Sequence, residues 1–301
     1  MNPLKYNINI IGLLVLLMLQ STVSALTDGY PKNTKIDVLN YIFNLELSDV
    51  TDEILCEAVV DVKFLDVNVK TLRLDLIKRA DKLNGKGMKV SNVLSNGQDL
   101  KFSHINDELV ISLPELSQQH QRLKIIIKYK GVPATGLKIG NNKYGDRTFF
   151  SDNWPNRGRH WLPIIDHPYD KAMCEFIVTA PSHYQVVSNG LKIEETNLND
   201  DKKLTHWKQS VPIASWLYVL GVADFAVQYV SDFDGKSIQT WVFKQDRDAG
   251  FYDFSVDIEA ELMRYKNWVV PSVLRYIGNW AVPFKERERG VFTATLYDFN
   301  N

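Results

Sequence analysis

The sequence predicts a mainly β protein, with several packed antiparallel sheets followed by the start of a helical region. Three observations predict it. Apolar residues alternate with period two through many runs between residues 35 and 245, and turn signals separate those runs. Near residue 246 the apolar spacing then lengthens to that of a helix. A chain of 301 residues with 45% apolar and 24% charged side chains can bury a sizeable core and is not composed like a disordered segment. The formal charge of −1 gives no electrostatic reason to expect nucleic acid or an anionic membrane surface as a partner.

The N-terminal MNPLKYNINIIGLLVLLMLQSTVSA reads as a secretory signal over residues 1–25. One Lys5 precedes an apolar run from Ile8 to Leu19, and small residues end at Ala25. That run is short of the roughly 20 residues that span a bilayer. Cleavage after Ala25 and export to the periplasm or the cell exterior are therefore expected, with no membrane association afterwards.

Residues 26–245 read as the β domain. KIDVLNYIFNLELSD (35–49) alternates Ile36, Val38, then Tyr41, Phe43, Leu45 and Leu47, with a register change near Asn40. ILCEAVVDVKF (54–64), TLRLDLI (71–77), ELVISL (108–113) and RLKIIIKYKG (122–131) continue the pattern. Asn84-Gly85 and Ser95-Asn96-Gly97 stand between runs as hairpin turns. A second set follows a proline-rich stretch: CEFIVTAP (174–181), YQVVSNG (184–190), LTHWKQS (204–210), WLYVLGVADFAVQYV (216–230) and SIQTWVFKQ (237–245). Ser188-Asn189-Gly190 reads as another tight turn.

From Phe254 the apolar residues fall at Ile258, Leu262, Tyr265 and Val269, one face of an amphipathic helix that Pro271 should end or kink. Residues 246–301 read as the incomplete start of a helical domain with a divergent tail. The tail, 279–301, fits neither period, and the chain reads as stopped short. The unpartnered face of 254–269 predicts self-association.

The six histidines, His104, His120, His160, His167, His183 and His206, form no H-E-x-x-H pair. No G-x-S-x-G elbow, phosphate loop or dinucleotide fingerprint occurs. Asp200-Asp201 lies in turn composition. Export would allow a single disulfide between Cys56 and Cys174, but both sit in strand-like runs, where two buried free thiols are the favoured reading. The remaining unusual stretch is SDNWPNRGRHWLPIIDHP, 151–168, too polar for a strand and too proline-broken for a helix. Pro163 and Pro168 stiffen it, and Trp154 and Trp161 offer large area for burial. Arg157 and Arg159 can pair with Asp152 or Asp166. A rigid inter-sheet loop built on Arg157, Arg159, Trp161, Asp166 and Pro168 is the main reading. A substrate-facing loop is the other.

The motifs Gly158-Arg159-His160-Trp161-Leu162-Pro163, Asp166-His167-Pro168, Lys171-Ala172, Val187-Ser188-Asn189-Gly190 and Val222-Ala223-Asp224-Phe225 occur in this order. Together they resemble the N-terminal domain of the aminopeptidase N family of zinc metallopeptidases. The resemblance implies a saddle-like β domain followed by a thermolysin-like helical domain. The latter would carry a G-x-M-E-N substrate loop and an H-E-x-x-H zinc helix, and the sequence contains neither. Agreement stops after Ile277-Gly278, which points to truncation, a frame change or an alternative end. The resemblance also implies a substrate-pocket position before the arginine motif. By spacing it falls on Asp152, with Asn153 and Trp154 beside it.

The expected function is thus the N-terminal portion of an exported zinc aminopeptidase that removes N-terminal residues from peptides. Alone it would bind no cofactor, contain no catalytic residue and be inactive, with zinc belonging to the intact enzyme. The alternative is a non-catalytic β-rich module that binds peptides or proteins.

Overall fold

The computed structural model describes residues 28–233, 236–255 and 291–295. The predicted helix face at 258–269 and the signal segment 1–25 lie outside the described residues. Strands β1 (Ile36–Glu46), β2 (Ile54–Phe64), β3 (Thr71–Asp75), β4 (Gly87–Ser95), β5 (Gln98–Asp99), β6 (Phe102–Ile105), β7 (Glu108–Ser112) and β8 (Arg122–Val132) form the first half. The second half comprises β9 (Leu137–Asn141), β10 (Arg147–Ser151), β11 (Lys171–Pro181), β12 (Gln185–Ser188), β13 (Leu191–Asn197), β14 (Lys202–Ala214), β15 (Leu220–Ala223), β16 (Phe225–Phe233) and β17 (Lys236–Phe243). A helix, α1 (Arg247–Ser255), and a strand, β18 (Val291–Thr295), follow.

The strands form one eight-stranded sheet, β13-β14-β11-β1-β2-β8-β4-β5, a four-stranded sheet, β12-β15-β10-β9, and two three-stranded sheets, β16-β17-β18 and β3-β7-β6. The mainly β, multi-sheet architecture is the predicted one. Pairing is antiparallel except between β1 and β11, which run parallel at the centre of the large sheet. Alternation alone could not reveal that pair, since parallel and antiparallel neighbours bury the same side chains on a half-covered face.

The core follows from the alternation. Tyr41, Phe43 and Leu45 of β1 share a buried face with Ala58 and Val60 of β2, Ile125 and Ile127 of β8, and Phe176 and Val178 of β11. Tyr41 stacks on Phe43 at 5.6 Å, and Phe43 meets Phe176 at 5.2 Å. The β1–β2 register slips between Val38 and Asn40, at the predicted phase change. A bulge there lets Ile36 and Val38 face the same core as Tyr41 and Phe43. Asn96 and Gly97 close the β4–β5 hairpin with φ of 49° and 77°, the left-handed pair that such a two-residue turn requires. Both cysteines are buried and free: Cys56 sits across from Leu45 of β1, and Cys174 across from Tyr41.

Three local expectations are corrected. The run 216–230 is not one strand. Ser215–Leu217 forms a turn of 3-10 helix, β15 ends at Ala223, and β16 starts at Phe225 in a different sheet. The apolar sequence passes through this corner without a break, so its periodicity carries no sign of it. Asn84-Gly85 closes a 3-10 turn at Asp81–Leu83 instead of joining two paired strands. The helix begins at Arg247, ahead of the position where the apolar spacing starts.

Candidate functional site: an inter-sheet lock and its exposed rim

The loop from Asp152 to Asp170 connects β10 of the four-stranded sheet to β11 of the eight-stranded one. On the way it bonds to β3 of a third sheet. The Asp75 main-chain N–H donates to the Ile164 carbonyl at 2.7 Å, and the Ile164 N–H returns a bond to Asp75 at 3.2 Å. Ile77 N–H donates to the Arg159 carbonyl at 2.8 Å. The Tyr41 hydroxyl, from β1, accepts the Ile165 N–H at 3.0 Å. A loop this rich in polar main chain can be buried only when such partners are supplied, and here β3 with the residue beyond it and β1 of the large sheet supply them.

Charged side chains complete the lock. Asp166 Oδ2 accepts bonds from Arg159 N–H and Arg159 Nε, both at 3.1 Å. Its Oδ1 accepts from the Ser215 hydroxyl at 3.0 Å. Arg159 Nη2 also reaches the Asp166 carbonyl at 3.1 Å and lies 3.6 Å from Asp75 Oδ2. Asp75 takes Arg73 Nη2 at 2.8 Å and the Asp166 N–H at 2.9 Å. Burial pushes the Asp166 carboxyl above the usual range, against the opposing pull of Arg159 and Ser215. Burial lowers the pKa of His160, reinforced by the neighbouring Arg159 charge, so its imidazole is held neutral.

Trp161 is fully buried against Phe176 at 5.9 Å, and its Nε1–H donates to Asn153 Oδ1 at 2.9 Å. Asn153 in turn donates through Nδ2 to the Tyr218 carbonyl at 2.7 Å. Both ends of that amide are thus engaged inside the protein. Asp152 is 8% exposed and meets two cations, Arg157 Nη1 at 2.9 Å and Lys138 Nζ at 3.0 Å. Its N–H donates to the Gly136 carbonyl at 2.6 Å. Gly136 has a φ of 78°, and a Cβ there would come within 2.1 Å of the Arg157 carbonyl, so the loop closes only over glycine. Trp154 does not supply the buried area expected of it. It is 61% exposed and packs against Trp216, ring centroids 4.7 Å apart. Pro168 is half-buried beside His167 and Tyr169.

The arrangement therefore has two parts: a buried ionic lock at 158–166, and a rim at 152–154 whose outward surface is the Trp154–Trp216 pair. Sequence reasoning found the arginines and their acids but missed Asp75, Ser215 and Asn189. Asp75 carried a weak signal, an acid following the inward Leu72 and Leu74 of β3 and preceding the buried Leu76. In the sequence Asn189 reads as part of a turn. Its amide instead clamps the chain at 217–219, donating to the Leu217 carbonyl at 3.0 Å and accepting the Val219 N–H at 2.6 Å. Among the described residues, no group of three or more His, Cys, Asp or Glu side chains is placed to hold a metal ion. These residues do not fit a zinc ion.

Comparison with known proteins agrees with this architecture. A probable aminopeptidase 1 from Saccharolobus solfataricus is 25% identical over 170 residues, which are 54% of this chain and 21% of that protein. The crystal structure of an M1 zinc metallopeptidase from Deinococcus radiodurans superposes with a TM-score of 0.57 at 21% identity, covering 68% of this chain and 46% of that one. Native leukotriene A4 hydrolase from Saccharomyces cerevisiae gives 0.63 at 18% identity, covering 77% and 35%. These structural likenesses show the fold. The chain spans about a fifth of the curated relative's length and less than half of each of these two structures. The sequence profile of the Peptidase M1 N-terminal domain matches residues 50–217, more than half of the chain, and the chain belongs to that family.

Proposed function

We propose that this chain is the cleft-shaping β portion of an exported zinc aminopeptidase and that it hydrolyses nothing by itself. The observation that carries this reading is the family match over 50–217 in a sequence with no H-E-x-x-H among its 301 residues. A Deinococcus radiodurans relative of the same fold has been crystallised with a Tyr-Ser-Ala substrate, which supports a peptide as the substrate class. Export is supported by the signal-like composition of residues 1–25.

In this reading the rim at 152–154 meets the start of the peptide. Trp154, paired with Trp216, offers an exposed aromatic surface to the first side chain. Asn153 acts from inside, fixing the loop through Trp161 and Tyr218. Asp152 already pairs with two cations, so a substrate ammonium would bind by displacing Lys138, the more exposed of them. The test is an assay of the purified chain with added zinc on amino-acyl anilides and tripeptides. No release of N-terminal residues is expected. Zinc-dependent turnover that a chelator abolishes would refute the reading.

A further inference from the structure

The eight-stranded sheet ends on β5 at one edge and on β13 at the other. β5 has only two residues, too short to template another strand, whereas β13 has seven, LKIEETN, all of them exposed. β14 covers one side of β13. Among the described residues no strand pairs with its other side, which leaves a row of main-chain N–H and C=O groups open. Leu191, 38% exposed, and Ile193, 53% exposed, add apolar surface to that edge.

The register on β14 sorts the side chains of β13 into two faces. Leu191, Glu194 and Thr196 stand opposite Lys208, His206 and Leu204, on the solvent face of the sheet. Lys192, Glu195 and Asn197 stand opposite the buried Trp207, Thr205 and Lys203. Ile193 is the extra residue where the register shifts between Lys192 and Glu194. The two residues of a bulge oppose a single partner residue, so Ile193 shares the face of Glu194. From Leu191 to Thr196 the faces therefore run solvent, core, solvent, solvent, core, solvent, and the order is the same read backwards.

Residues directly opposite in an antiparallel pair share a face. Turned end over end, β13 meets that condition against itself. Leu191 falls opposite Thr196, Lys192 opposite Glu195, and Ile193 opposite Glu194. A strand without the bulge could not pair this way, because strict alternation would set opposite faces against each other. Charge agrees with the geometry. Lys192 and Glu195 lie 3.4 Å apart within one chain, so two copies would close a ring of four alternating charges on one face.

We propose that β13 is a dimerisation edge, pairing antiparallel with β13 of a second copy of this chain about a two-fold axis between Ile193 and Glu194. Every contact is then made twice, and the two large sheets join into one. The interface is small, so the dimer forms and separates readily. An unrelated extended segment would have to carry the same charges in the same reversed order to fit as well.

Sedimentation velocity on the full chain over a concentration series tests this, with Lys192→Glu and Glu195→Lys as variants. Both change exposed side chains on an edge strand. Each sets like charges opposite each other at two symmetric places and should raise the dimer Kd at least about tenfold. An equimolar mixture of the two variants sets opposite charges at both places again and should recover most of that loss. Mixing cannot restore the Lys192–Glu195 pair within a chain, so recovery reports contact between copies. The proposal is overturned if the native chain stays monomeric at every concentration, or if mixing restores nothing. It is equally overturned if association ignores both reversals, as pairing through the apolar face of 254–269 would.

Discussion

Replacing Asp166 by alanine is expected to destabilise the protein by about 3–5 kcal/mol, the range for removing one partner of a buried ion pair. The magnitude follows from what is left behind. Arg159 keeps its place between sheets, where its side chain is only 23% exposed, and loses two bonds to the carboxylate. Ser215 loses its acceptor as well. Asp75 stays near Arg159, but at 3.6 Å and already engaged by Arg73 and by the Asp166 N–H, so it cannot take over. Urea unfolding monitored by tryptophan fluorescence would measure the loss. A change below about 1 kcal/mol, typical of a surface pair, would mean the lock is not what joins the sheets.

The second large effect is a pH dependence centred on Asp170. This residue is 8% exposed, and one carboxyl oxygen accepts the Val38 N–H at 3.4 Å. The other is buried without a hydrogen-bond partner. Burial, with a smaller contribution from the Asp37 charge, raises its pKa to about 7. The folded chain therefore holds a proton that the unfolded chain has released between the ordinary value of 3.8 and about 7. Stability falls as pH rises through that window, and the loss is complete above it. With about 3 pH units between the two values, the upper limit is about 4 kcal/mol. Asp166, also raised by burial, contributes in the same direction. Asp170→Asn keeps an acceptor for Val38 and removes the titration. It should match the native chain near pH 4 and exceed its stability near pH 8. Parallel stability curves for the two proteins would rule out Asp170 as the source.

Much of this fold was legible because its strands are half-buried. The alternation in β1, β2 and β8 marked the core side chains, and a single phase change near Asn40 marked the bulge. Where a strand has no buried face, that contrast disappears. β13, LKIEETN, is exposed along its whole length and forms only by pairing with β14. β9 and β10 are five residues each, flanked by turn-forming residues, and gave no run long enough to read. The site was half legible for a related reason. Arginines and acids crowded into a proline-stiffened loop announce ion pairs, but a partner such as Asp75, 91 residues away in sequence from Asp166, is chosen by sheet packing. The two tryptophans illustrate the same limit. Nothing in their residue type distinguishes Trp161, sealed against Phe176, from Trp154 at the rim.

The proposed role of this β unit is to shape an aminopeptidase cleft through its 152–154 rim. The most direct measurement grafts residues 28–246 of this chain onto the remainder of the Deinococcus radiodurans metallopeptidase and compares the chimera with its Asp152→Asn variant. Zinc-dependent release of N-terminal residues is expected, with a severalfold rise in KM and little change in kcat on substitution, the pattern of a lost binding contact. A folded, zinc-loaded chimera without peptidase activity would refute the cleft role, as would one whose KM ignores Asp152.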